Sequence, residues 1–86
     1  MSYRVEFVRS AAKTYSRLDA VLQRRVDREL NRLSETPRHP GVIRLQSADD
    51  LYRVRIGDLR LLFNVEDQVL VVLIVKIGQR GSVYRG

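Results

Sequence analysis

At 86 residues, 44% of them apolar, the chain is expected to fold as one domain over residues 1–86, with no room for separate catalytic and binding domains. The absence of cysteine excludes disulfides, thiolate nucleophiles and cysteine-ligated zinc. The net charge of +6 rests on arginine, with Lys13 and Lys76 the only lysines, a bias that suits phosphate or an acidic partner but that GC-rich coding would also produce.

Tyr3, Val5 and Phe7 alternate with Arg4 and Glu6, which predicts a first strand ending near Val8. Ser10 is placed to cap a short helix over residues 11–18, with Ala11, Tyr15 and Leu18 on one stripe. Asp19 offers a second cap. Leu22, Val26, Leu30 and Leu33 then recur at spacings of four, four and three, predicting an amphipathic helix to about Ser34 whose other face carries Arg24, Arg25, Arg28 and Arg32. Pro37, Pro40 and Gly41 end it, so the two helices form a hairpin. His39, between the prolines, is expected to be a solvated loop residue without a role.

From Val42 onward the period changes to two. Tyr52, Val54 and Ile56 face one way and Arg53 and Arg55 the other. Gly57 and Asp58 make a two-residue hairpin turn. Leu59, Leu61, Phe63 and Val65 resume the inward face, with Arg60 projecting outward. Residues 66–68 turn the chain into the apolar run 69–75, which suits a central strand with the first strand beside it. Gly78 and Gly81 flank Arg80 closely enough to allow a tight excursion at the sheet edge before Tyr84. The expected class is α+β: an N-terminal strand, an antiparallel helical hairpin and a C-terminal antiparallel β-meander, about four strands in all. Charges throughout residues 1–6 and the shortness of the apolar run 69–75 predict no signal peptide and no membrane span, and hence a cytoplasmic protein.

The alternation places Arg53, Arg55 and Arg60 on one surface, where each close pair repels by about 1 kcal/mol. A polyanion would relieve that repulsion. Asp58 is near in sequence, and the helical acids Asp27 and Glu29 are possible neutralisers, which leaves a solvated face with an internal salt bridge open as an alternative. There is no P-loop, no G-x-G-x-x-G, no histidine–carboxylate metal cluster and no Ser-His-Asp set, so no cofactor and no metal is expected.

The stretch LYRVRIGDLRLLF followed by VKIGQRGSVY, with the opening Tyr3-Arg4-Val5-Glu6-Phe7, the helical hairpin and its exit from Leu33 to Pro37, resembles the RelE/ParE toxin superfamily, its RelE branch in particular. The resemblance covers nearly the whole chain. It implies a small RelE-like microbial RNase fold and a ribosome-dependent endoribonuclease, an mRNA interferase that cuts mRNA in the decoding site. It also implies silencing by an acidic RelB-like antitoxin. Carried over by position, the family's paired basic residues fall on Arg53 and Arg55, its next-strand arginine on Arg60, and its late arginine and tyrosine on Arg80 and Tyr84.

Those roles fit metal-free cleavage, in which the 2′-hydroxyl is deprotonated, the phosphorane charge neutralised and the leaving 5′-oxygen protonated. Tyr84 would stack on a base and hold the in-line geometry, unless it is a core aromatic following Val83. The sequence departs from the family at two points. The paired positions are arginine where the best-known RelE members have lysine, which makes Arg55 a better phosphate clamp than base. Gln79 stands where many relatives have histidine, so the general base is missing. Two other functions fit the same outline, a ParE-type non-enzymatic DNA gyrase inhibitor and a basic module that binds RNA or antitoxin without catalysis. The helical arginines would serve ribosomal RNA, an antitoxin helix or solvent.

Overall fold

The computed structural model of the chain describes residues 2–45 and 50–79. In chain order it forms β1 (Arg4–Phe7), α1 (Arg9–Ser16), α2 (Ala20–Glu35), β2 (Ile43–Arg44), β3 (Leu51–Ile56), β4 (Leu59–Glu66) and β5 (Val71–Gln79). The strands make one sheet in the order β1-β5-β4-β3-β2. β1 pairs parallel to β5, as a strand returning after a helical crossover must, and the remaining pairs are antiparallel. The sheet therefore has five strands, not about four. The additional one, β2, is a two-residue bridge in which Ile43 pairs with Arg53 and Arg44 with Tyr52.

The predicted inward row is the core. Tyr52, Val54, Ile56, Leu59, Leu61, Phe63 and Val65 are all buried beneath Ala11 of α1 and Val26 and Leu33 of α2. α1 starts earlier than its serine suggests: Val8 is the N-cap residue and makes no side-chain cap bond, while Ser10 lies inside the first turn. Asp19 does cap α2, its carboxylate accepting from the Leu22 N–H at 2.9 Å. Tyr15 ties the hairpin together. Its ring packs on Phe7 at 5.5 Å and its hydroxyl donates to Asp27 at 2.6 Å, a bond that raises the phenol's pKa.

The loop after α2 is anchored at two points, and His39 is buried, not solvated. The ring is 4% exposed; Nδ1 accepts from the Gly41 N–H at 3.1 Å, so Nε2 carries the proton it shares with Glu29 at 2.7 Å. Next to it Arg38 donates to both oxygens of Asp67, at 3.1 and 2.8 Å, and to the Tyr52 hydroxyl at 2.9 Å. Tyr3 donates to the same carboxylate at 2.6 Å. The Arg38 guanidinium and the Tyr3 hydroxyl together pull the Asp67 pKa down to about 2. The turn between β4 and β5 is longer than predicted: Leu70 has a left-handed φ of 55°, Val69 is exposed, and the strand begins only at Val71.

Candidate functional site

Cross-strand register fixes what the outer face of the sheet displays. Val54, Leu61 and Ile77 are partners on the inner face, as are Tyr52, Phe63 and Ile74. The alternate rows, Arg53–Leu62–Lys76 and Arg55–Arg60–Gly78, point away from the helices. The hairpin therefore does bring Arg53, Arg55 and Arg60 onto one face. Its turn requires Gly57 at a φ of +59°, and the Arg25 guanidinium of α2 lies against that glycine.

The three arginines differ in environment. Arg55 is exposed, Arg53 half-buried, and Arg60, though on the outward side predicted for it, only 5% exposed. Among the described residues Arg60 has one long hydrogen bond, from Nη1 to the Leu59 carbonyl at 3.4 Å, and its buried Nε has no hydrogen-bond partner. A guanidinium withdrawn from water with donors unused favours an anion laid against it. Its partner across β5, Gly78, carries no side chain to compete for that space.

Asp27 and Glu29 do not neutralise this face. They belong to α2 and are engaged by Tyr15 and His39, and neither Arg55 nor Arg60 forms an ion pair with a carboxylate among the described residues. Glu6, bonded to Arg4 at 2.7 Å, and Glu66 opposite Val71 lie toward the other end of the outer face, while Asp58 stands in the β3–β4 turn itself and forms no ion pair among the described residues. The end of the face beside the β3–β4 turn is thus cationic on balance, its arginines outnumbering the single acid Asp58.

Lys76 belongs to the cationic end, and sequence reading missed it. Between the pairs Leu62–Lys76 and Phe63–Ile74 the register slips, leaving Val75 as an extra residue in β5. Plain alternation from the buried Ile74 would turn Lys76 inward; the extra residue turns it outward. The signal for this is Ile77, an apolar residue three after Ile74 that is also buried. The predicted excursion at the sheet edge, with Arg80 and Tyr84, lies outside the described residues; β5 itself runs through Gly78 to Gln79, in register with Leu59. Arg24, Arg25, Arg28 and Arg32 are exposed on α2. No helix of the described residues is long and apolar enough to cross a membrane.

Two helices on a five-stranded mixed sheet is an architecture this chain shares with RelE toxin structures. The archaeal RelE–RelB complex from Pyrococcus horikoshii OT3 contains a chain that matches with a TM-score of 0.81 at 32% identity, covering 95% of this chain and 99% of that one. The isolated Escherichia coli RelE toxin matches with a TM-score of 0.82 at 25% identity, over 96% and 92%. The mRNA interferase toxin RelE of Escherichia coli (strain K12) is 26% identical over 82 residues, 93% of this chain and 85% of the relative. The family model for the ParE toxin of type II toxin-antitoxin systems, parDE, matches residues 5–84, and the chain belongs to that family, as a RelE-like toxin.

Proposed function

We propose that this toxin is a ribosome-dependent endoribonuclease that cleaves mRNA in the decoding site and is held inactive by an acidic RelB-like antitoxin. The observation that carries the reading is the cationic end of the outer face, where among the described residues Arg55 and Arg60 lack carboxylate partners and Arg60 is buried with an unused donor. The names of the relatives, an mRNA interferase and complexes of RelE with RelB, support the same reading. Arg53, Arg55 and Arg60 clamp the scissile phosphate and neutralise charge as the 2′-oxygen attacks. Arg80 adds to that charge stabilisation, and Tyr84 stacks on a base to hold the in-line geometry. No metal is required, since the guanidinium groups supply the electrophilic role.

Ribosomes stalled on a short message and incubated with purified protein are expected to yield fragments with 2′,3′-cyclic phosphate ends, and Arg80→Ala is expected to abolish them. A message left intact at saturating wild-type protein overturns the reading. The ParE description of the matching family carries the second reading, inhibition of DNA gyrase without RNA cleavage. Loss of supercoiling activity together with an intact message would select it.

A further inference from the structure

The cationic face has three arginines for charge and, through the irregularity at Val75, one amine. Lys76 stands in register with Leu62, whose other partner is Arg53, and lies diagonally from Arg60, the neighbour of Leu62 two residues along β4. With strands about 4.8 Å apart, Arg53 and Lys76 flank Leu62, itself only 7% exposed, so a phosphodiester held by both cations lies along the ends of their side chains and not on Leu62. Lys76 is half-buried and has no hydrogen bond or ion pair among the described residues, so its ammonium is not committed to holding the fold. Lys13, the other lysine, is on α1, against the opposite face of the sheet.

We propose that Lys76 is a catalytic residue, the proton donor to the leaving 5′-oxygen; this rests on the RNA-cleaving reading above. Guanidinium groups hold their protons too tightly to exchange them readily, whereas an ammonium both releases and regains one. In the step, the 2′-oxygen forms a bond to phosphorus as its proton passes to water. The bond from phosphorus to the 5′-oxygen breaks with its electron pair on that oxygen, which takes the proton from Nζ of Lys76. The products are a 2′,3′-cyclic phosphate and a 5′-hydroxyl, and the neutral amine recovers a proton from solvent. Beyond Ile74 β5 has no β1 partner, and at that open edge a cleft of about 280 Å³ between α1 and β5, lined by Ser10, Ala11, Thr14, Val75, Lys76 and Ile77, leaves the residue accessible to solvent for that recovery. Bulges commonly re-aim a side chain next to an active site, and this one turns an otherwise inward lysine onto the arginine row.

The test compares wild type, Lys76→Arg and Lys76→Met in single-turnover cleavage of ribosome-bound message. One substrate is ordinary RNA and the other carries sulfur in place of the scissile 5′-oxygen, a leaving group that needs no proton. Both variants are expected to cleave ordinary RNA at least 10²-fold more slowly, in the range typical of a lost general acid, and the sulfur substrate within a few-fold of wild type. The second result also shows that the variants are folded. If Lys76→Arg cleaves ordinary RNA at the wild-type rate, or if the sulfur substrate fails to restore the rate, the role of Lys76 is overturned while RNA cleavage stands. If wild-type protein cleaves neither substrate, both readings fall together.

Discussion

The β3–β4 turn sets the distance between Arg55 and Arg60, and Gly57→Ala tests what holds it. Gly57 has a φ of +59°, where an L side chain costs about 1–2 kcal/mol. A Cβ there would lie 2.8 Å from Nη2 of Arg25, but that atom ends a flexible side chain on an exposed helix face and can swing aside, so the contact adds little. Reduced freedom of the unfolded chain returns about 0.4–1 kcal/mol, leaving a net loss of about 1 kcal/mol. For a domain of this size that corresponds to a fall in Tm of about 4–8 °C. Thermal and urea unfolding would measure it. Gly57→Asn should lose less, since asparagine tolerates the left-handed region. In an Arg25→Ala background the cost of Gly57→Ala should change by no more than about 0.5 kcal/mol. If the cost disappears in that background, or if alanine is as stable as glycine, backbone strain is not the cause.

Arg60→Met should raise stability by about 1–3 kcal/mol in urea unfolding, because a buried cation with an unused donor is removed, while ribosome-dependent cleavage falls sharply. His39→Leu should lower stability by about 2–4 kcal/mol, since it leaves both the Glu29 carboxylate and the Gly41 N–H without their partner; adding Glu29→Leu should recover part of the loss. Asp67 has a folded pKa of about 2 against an ordinary 3.8, so its contribution is present above the ordinary value and is lost as pH falls through the folded one. The stability gap between wild type and Asp67→Asn, followed by unfolding at successive pH values, should therefore close over that interval. A gap that persists at the acid end would mean that the Arg38–Asp67 pair does not supply it.

The inner face of this sheet was legible because one buried side leaves a period of two, and every residue from Tyr52 to Val65 assigned inward is buried. Alternation says which side a residue takes but not what covers it: Arg60 takes the predicted outward side and is nonetheless enclosed. It also assumes an unbroken pleat, and the extra residue at Val75 breaks it, which hid Lys76. His39 was misjudged for a different reason. Flanking prolines mark a loop, but its burial depends on Glu29 and Gly41, and only the folded chain brings the glutamate there. β2 is too short to carry any period. The catalytic expectations for Arg80 and Tyr84 come from the family resemblance and lie outside the described residues.

The parallel pairing of β1 with β5 has a consequence for how the toxin is made. Arg4 to Phe7 find their strand partners only at Val71 to Ile74, and β5, the last of the described elements, lies between β1 and β4. While the chain is being synthesised, the β3–β4 hairpin can close locally, but β1 waits without a strand partner and the inner row of β4 without its neighbour until β5 has emerged. The nascent toxin therefore has the arginines of β3 and β4 before it has a sheet to fix them, and the outer row takes shape only once β5 has been made.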